Sequence, residues 1–86
     1  MPEITVLQRG KSAAMPAAEL AAAAARAEFV LLDVGAGDGK FPYRVARDNP
    51  GTLCIGIDPA RENLVSTAGK IGRKESRGGV RNLVLI

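Results

Sequence analysis

The feature that most constrains this chain is an apolar segment that leads into a glycine-rich loop. Residues 29–34 are Phe-Val-Leu-Leu-Asp-Val, and glycines follow at every second position from 35 to 39. Apolar side chains on both faces predict a buried, central strand of a parallel sheet. Glycine has no Cβ atom, so the loop backbone can approach a ligand closely. The stretch predicts a strand, a tight turn and a helix start, with a nucleotide-like cofactor at the turn.

The spacing of the loop distinguishes between classes of cofactor. A dinucleotide fingerprint needs a third glycine where this chain has Lys40. A phosphate-binding Walker A loop needs glycine at Val34 and a hydroxyl residue at Phe41. The remaining pattern, acid-apolar-Gly-x-Gly-x-Gly, resembles motif I of class I S-adenosylmethionine-dependent methyltransferases. An ordinary tight turn between a strand and a helix is the alternative interpretation.

Length and composition restrict the class of protein. The chain has 86 residues, of which 47% are hydrophobic and 24% charged, so we expect one small globular domain. Its apolar runs are too short to span a membrane, and its N-terminus lacks the basic region of a secretory signal. The single cysteine, Cys54, fits a buried thiol in a reducing cytoplasm. We expect a cytoplasmic location, with no membrane and no metal.

The positive charge is concentrated near the C-terminal end. Residues 1–65 contain seven Lys or Arg against eight Asp or Glu, whereas residues 66–86 contain five against one. Such a basic segment can contact a phosphate backbone. A solvated helix face is the alternative interpretation. The basic residues are Lys70, Arg73, Lys74, Arg77 and Arg81.

Hydrophobic patterns and turn residues predict the order of the elements. A hairpin of Ile4–Leu7 with Ser12–Met15, turning at Arg9–Lys11, precedes an alanine-rich helix over residues 17–27. The expected elements after strand 29–34 are a helix from about Lys40 to Asp48, a buried strand Thr52–Ile57, a helix opened by Pro59, and a strand Asn82–Ile86.

Individual side chains are expected to cap the two later helices or to pack them against the sheet. Asp38 is a candidate N-cap, and Phe41 and Val45 are expected to face the sheet. Leu64, Ala68 and Ile71 recur at i, i+4 and i+7, as they do on a buried helix face.

The alternation of elements predicts an α/β fold class. Residues 29–86 are expected to form a β-α-β-α-β unit, the N-terminal half of a Rossmann-like doubly wound parallel sheet. Residues 1–28 form a hairpin and helix extension to this partial cofactor-binding domain. The first strand of such a half would be left as an edge, which suggests a piece of a longer protein or a partner that completes the sheet. That edge is a candidate surface for self-association.

A second acid follows the next strand. Asp58 lies nineteen residues after Gly39, where the fold places it at the same crevice as the loop. A carboxylate there can accept hydrogen bonds from both ribose hydroxyls, and it would repel the 2′-phosphate of NADP. Alone, Asp58 can also be a turn acid before Pro59, and Asp33 a strand-end acid. Together with the glycines they favour a nucleoside-type cofactor.

A closer resemblance extends over about residues 29–86. The sequence is similar to the aminoglycoside-resistance methyltransferases that modify N1 of the decoding-site adenine in 16S rRNA. It departs from that family at Ala36, where threonine is common, and at Glu75, where proline is usual. The similar segments are Asp33-Val34-Gly35-Ala36-Gly37-Asp38-Gly39-Lys40-Phe41-Pro42-Tyr43, Ala46-Arg47-Asp48-Asn49-Pro50, Ile55-Gly56-Ile57-Asp58-Pro59, Glu62-Asn63-Leu64 and the run 74–83.

The resemblance implies S-adenosylmethionine as cofactor, bound by Asp33, Gly35, Ala36, Gly37, Asp58 and Pro59. Asp33 would hold the methionine amino group, and Asp58 would hold the ribose hydroxyls with Pro59 beside the adenine. The implied partner is 16S rRNA in the small ribosomal subunit, with its phosphates contacted by Lys70, Arg73, Lys74 and Arg77.

The resemblance implies no catalytic residue in this chain, since the tryptophans that hold the target base in the family lie beyond residue 86. Three other functions compete with this interpretation. A tRNA guanine-N7 methyltransferase has a similar glycine loop and strand end. A non-catalytic module that binds a nucleoside or RNA is a second alternative. A fragment of an NAD-dependent dehydrogenase is disfavoured by Lys40.

Overall fold

The computed structural model describes residues 2–8, 10–71 and 73–86. Its strands and helices follow the predicted order. The turn expected at Arg9 lies outside the described residues. The elements are β1 (Glu3–Gln8), β2 (Lys11–Pro16), α1 (Ala17–Arg26), β3 (Phe29–Val34), α2 (Lys40–Asp48), β4 (Thr52–Ile57), α3 (Arg61–Ala68), a 3₁₀ turn (Glu75–Arg77) and β5 (Leu83–Leu85).

The described strands form one mixed sheet in the order β2-β1-β5-β4-β3. Strands β3, β4 and β5 are parallel, which is the 3-2-1 half of a doubly wound sheet. The α/β fold class is therefore confirmed. The hairpin joins this sheet, because β1 pairs antiparallel with β5 at Leu7 and Leu85. The division into residues 1–28 and 29–86 stays a prediction.

Helices cover the two faces of the sheet unequally. On one face, α2 and α3 pack on Cys54 and Leu85, and Leu64 and Ala68 of α3 are fully buried there. On the other face, α1 lies over a smaller cluster around Leu53. No residue of α1 is itself buried. The main core therefore lies between the sheet and helices α2 and α3.

The expectation that both faces of strand 29–34 are buried is wrong. Phe29 and Val34 are 71% and 73% exposed, and Val30 and Leu32 are also exposed. The reason is position, because β3 is the last strand at one edge of the described sheet. Val30, Leu32 and Val34 share one face of β3, and no element among the described residues buries that face. Phe29, on the other face, begins this edge strand and is also open to solvent.

Two expectations about α2 are corrected. Phe41 is 59% exposed and does not face the sheet, because the buried side of α2 is formed by Pro42, Tyr43 and Ala46. Val45 is partly buried against the core, as expected. The N-cap position belongs to Gly39, while the carboxylate of Asp38 accepts a hydrogen bond from the Lys40 N–H at 3.0 Å.

Helix α3 is shorter than the pattern predicts. It begins at Arg61, two residues after Pro59, and ends at Ala68. Ile71 is buried as expected, although it lies beyond the last helical residue. The apolar spacing therefore identified the buried positions correctly but not the end of the helix.

Candidate functional site

The glycine loop links β3 to α2 and is held by its own amide groups. Gly35, Gly37 and Gly39 all have positive φ, at 79°, 60° and 78°. The N–H groups of Gly35 and Ala36 both donate to the carbonyl of Ile57, at 2.8 and 2.9 Å. The Gly37 N–H donates to Asp58 Oδ2 at 2.8 Å, and the Gly39 N–H to the Ala36 carbonyl at 3.0 Å. The loop is thus fastened to the end of β4.

The hydrogen bonds made by the loop amide groups indicate which ligands the loop can bind. Loops that bind phosphate present backbone N–H groups to the phosphate oxygens. Here the N–H groups of residues 35, 36, 37 and 39 all donate within the chain. The loop is therefore poorly suited to cradle a phosphate, which agrees with the misfit of both phosphate-loop sequence patterns.

Asp58 is held by two backbone donors. Its Oδ2 accepts from Gly37 and its Oδ1 accepts from the Ala60 N–H, both at 2.8 Å. A carboxylate has about four acceptor sites, so each oxygen keeps capacity for one more donor. The side chain is half-buried and fixed in direction by these two bonds. It can receive two further hydroxyl hydrogens without being rearranged.

Asp33 lies at the same end of the parallel strands. It is the register partner of Gly56, and Asp58 follows Gly56 by two residues. Side chains alternate along strands, so register partners in a parallel pair share a face. A Cβ atom on Gly56 would meet Pro42 and Ala36, which identifies that face as the one covered by α2 and the loop. Asp33 is half-buried there.

The space beside the loop fits a close ligand. A Cβ atom built on Gly35 or Gly37 would meet no other atom within 4 Å, so these two residues border open space. By contrast, a Cβ atom on Gly39 would lie 3.4 Å from Leu64 and Leu85 in the core. The first two glycines therefore leave room for a ligand, and the third permits helix packing. Pro59 is exposed beside Asp58.

The charges around the loop are mostly acidic. Asp33, Asp38 and Asp58 all belong to the loop or to the strand ends that flank it. Lys40 lies 3.7 Å from Asp38, and both side chains are more than half exposed, so solvent weakens this pair. Three carboxylates repel phosphate and attract a cationic ligand. The residues present therefore fit S-adenosylmethionine, which has a sulfonium, an amino group and an uncharged ribose.

The basic residues lie on the segment that connects α3 to β5. Lys70 is half-buried and Arg73, Lys74 and Arg77 are exposed on the connection from α3 to β5. Among the described residues, no hydrogen bond or ion pair joins this connection to the glycine loop. It does contact Tyr43 of α2, whose hydroxyl donates to the Gly78 carbonyl. The six residues expected to bind the cofactor therefore come together, and no described hydrogen bond or ion pair joins the four basic residues to them.

Two residues with clear structural roles were missed by sequence reasoning. The sequence analysis assigns no contact to Tyr43, the sole tyrosine of the chain. The side-chain nitrogen of Asn82 lies 2.8, 3.0 and 2.7 Å from the carbonyl oxygens of Ala46, Asn49 and Thr52, and its two hydrogens are shared among these three acceptors. Asn82 therefore fastens the end of α2 to the start of β4. The hydrogen bonds of Tyr43 and Asn82 all join residues at least 30 positions apart, so no local sequence pattern signals them.

Cys54 and Asp48, two residues outside the loop, have a shifted pKa. Burial raises the pKa of the Cys54 thiol, whose residue is fully buried in the main core. A hydrogen bond from Arg47 lowers the pKa of Asp48 at the exposed end of α2. In the described ranges, His, Cys, Asp and Glu form no group of three that could hold a metal ion. None of the helices described is long and apolar enough to cross a membrane.

Comparisons with known proteins agree on one family. The family model described as NpmA, 16S rRNA (adenine(1408)-N(1))-methyltransferase, matches residues 6–86. A relative of that description from Escherichia coli is 36% identical over 81 residues, which are 94% of this chain and 37% of the relative. Another, from Streptoalloteichus tenebrarius, is 42% identical over 57 residues, which are 66% of this chain and 26% of the relative.

A solved structure gives the same result. It is a variant of the 16S rRNA (adenine(1408)-N(1))-methyltransferase from Catenulisporales acidiphilia, crystallised with its cosubstrate SAM. The TM-score is 0.93 at 40% identity, and the match covers 99% of this chain and 42% of that one. The chain thus spans between about a quarter and about two fifths of the length of these three proteins.

Proposed function

Because the chain belongs to the 16S rRNA (adenine(1408)-N(1))-methyltransferase family, we propose that it is the cofactor-binding portion of such an enzyme. The bound cofactor is S-adenosylmethionine, which supplies an activated methyl group on its sulfonium. The substrate is the decoding-site adenine of 16S rRNA, which is methylated at N1. The consequence is resistance to aminoglycosides, and the location is the cytoplasm.

The observation that carries this proposal is the double attachment of Asp58. Its carboxylate is aimed by Gly37 and Ala60 and keeps one acceptor site on each oxygen for the ribose hydroxyls. In the proposed complex, Asp33 receives the methionine amino group. Gly35, Ala36 and Gly37 allow close approach of the methionine and ribose, and Pro59 lies beside the adenine. These residues bind and orient the cofactor, which is the main task in a direct displacement.

In this proposal, the basic connection between α3 and β5 binds the RNA. Lys70, Arg73, Lys74 and Arg77 contact phosphates of 16S rRNA in the small ribosomal subunit. Phosphate contacts position a protein on RNA without reading its sequence. Three of the four side chains are exposed, which supports this role. The open edge of β3 is our candidate surface for self-association, measurable as concentration-dependent sedimentation.

Calorimetric titration of this chain and of its full reading frame tests the cofactor. We expect S-adenosylmethionine to bind more tightly than NAD, because the loop amides are occupied and the site is acidic. Tighter binding of NAD would contradict the proposal.

Methyl incorporation tests the reaction. The full reading frame is expected to methylate purified 30S subunits and not tRNA. Methylation of tRNA alone would favour a tRNA guanine-N7 methyltransferase. Cofactor binding with no incorporation into either RNA would favour a non-catalytic module.

A further inference from the structure

The side chain of Tyr43 joins the two ends of the basic connection. Its hydroxyl donates to the Gly78 carbonyl at 2.6 Å, near the end of the connection. At the start of the connection, Lys70 Nζ lies 4.5 Å from the centre of the Tyr43 ring, within the range of a cation–π contact. Tyr43 is 7% exposed and belongs to α2, which is packed on the sheet. One rigidly held residue therefore contacts both ends of a mostly exposed segment.

The connection is compact between these two contacts. The N–H groups of Arg77 and Gly79 both donate to the Lys74 carbonyl, at 2.8 and 3.1 Å. A Cβ atom on Gly79 would collide with the Arg73 carbonyl, so the chain passes too close to itself for a side chain there. The backbone path thus sets the spacing between Arg73, Lys74 and Arg77.

We propose that Tyr43 is a positioning residue for the RNA-contacting surface, which holds the basic connection in its binding shape before RNA arrives. This inference rests on the proposed function, because it assumes that Arg73, Lys74 and Arg77 contact phosphate. Tyr43 itself need not contact RNA, since it is buried and acts through Gly78 and Lys70.

The physical basis is the cost of ordering a segment on binding. A flexible segment that must become fixed loses conformational freedom, and a segment already fixed avoids that loss. The net contribution of a neutral hydrogen bond is about 1 kcal/mol, which corresponds to about a fivefold change in an equilibrium constant. Loss of the bond from Tyr43 to Gly78 is therefore expected to weaken RNA binding about fivefold.

Tyr43→Phe is the direct test, because it removes the hydroxyl and keeps the ring under Lys70. Binding of 30S subunits by the full reading frame is measured over a range of salt concentrations. We expect affinity to fall about fivefold with an unchanged salt slope, since no charge is lost. Binding of S-adenosylmethionine is expected to be unchanged, which also shows that the variant is folded. Ser66→Ala, which removes an exposed hydroxyl from α3, is the matched control.

A double-mutant cycle separates this inference from the proposed function. The second variant replaces Arg73, Lys74 and Arg77 by Gln. If it weakens RNA binding and Tyr43→Phe has no further effect in its background, both ideas are supported. If the triple variant weakens binding and Tyr43→Phe alone does not, the positioning role is wrong and the RNA surface stands. Additive effects, or a reduced salt slope in Tyr43→Phe, would also overturn positioning. If the triple variant binds normally, the RNA surface itself is wrong.

Discussion

Replacement of Asp58 by Asn is the most informative perturbation of the site. The carboxylate accepts from the Gly37 N–H with one oxygen and from the Ala60 N–H with the other. An amide has the same shape but only one acceptor oxygen. In either orientation its NH₂ group faces a backbone N–H, so one of the two backbone donors loses its acceptor. In the proposed complex, the substitution also removes the negative charge offered to the ribose.

Two effects of different size follow. An unsatisfied buried donor costs about 1–3 kcal/mol. Because Asp58 is only half-buried, we expect Asp58→Asn to lower the free energy of unfolding by an amount near the lower end of that range. A hydrogen bond to a charged group contributes about 1.5–3 kcal/mol, so loss of one ribose contact weakens cofactor binding about tenfold to a hundredfold. The effect on binding is therefore expected to exceed the effect on stability.

Calorimetry with S-adenosylhomocysteine and its 2′-deoxy analogue isolates the ribose contact. The wild-type chain is expected to prefer the hydroxylated ligand, and Asp58→Asn is expected to lose most of that preference. Asp38→Asn is the matched control. It removes one carboxylate from the same loop and leaves the hydrogen bond from Gly37 to Asp58 in place. If Asp58→Asn keeps the preference, or binds no more weakly than Asp38→Asn, the ribose contact is refuted.

Three further predictions concern stability and the loop. Asn82→Ala is expected to lower the free energy of unfolding by about 1–3 kcal/mol, because the carbonyls of Ala46, Asn49 and Thr52 lose their donor. Chemical denaturation measures this, and Asn82→Asp, which has no donor, should lose at least as much. Gly35→Ala places a Cβ atom in the open space beside the loop at φ 79°, so it should weaken cofactor binding. Gly10→Ala, at φ 75° in the hairpin turn, imposes comparable backbone strain of about 1–2 kcal/mol and should leave cofactor binding unchanged in the same titration. The Cys54 thiol, whose pKa burial raises, should react with a thiol reagent only at the rate of unfolding. Because the unfolded thiol ionises first, its contribution to stability is complete below about pH 8.5 and is lost as the pH rises above that value, which alkaline denaturation measures.

The sequence alone determined the order of the elements and which residues meet at the carboxyl ends of the parallel strands. Strand and helix patterns are local, and alternating β and α segments allow few topologies once the crossovers are right-handed. Because the carboxyl ends of neighbouring parallel strands meet at one edge, the glycine loop and Asp58 could be placed together without coordinates. The structure agrees, since Asp58 accepts a hydrogen bond from Gly37.

Burial and the use of hydrogen-bond donors were decided only by the tertiary structure. The apolar pattern of residues 29–34 describes what the side chains are, but their exposure depends on which strands and helices lie beside β3. The pattern likewise could not show that Phe41 faces solvent while Tyr43 is buried. These outcomes depend on neighbours distant in sequence.

The same limit applies to the chemistry of the loop. The sequence showed that the loop fits phosphate-binding patterns poorly, and the structure supplies the reason, because Ile57 and Asp58 accept its amide hydrogens. The pairing of β1 with β5 and the contact of Tyr43 with Gly78 were likewise set by packing. A residue's type fixes which hydrogen bonds and contacts it can make. The partner that satisfies them is selected by the folded chain as a whole, because each buried donor and apolar surface must find its complement among residues brought together only by folding.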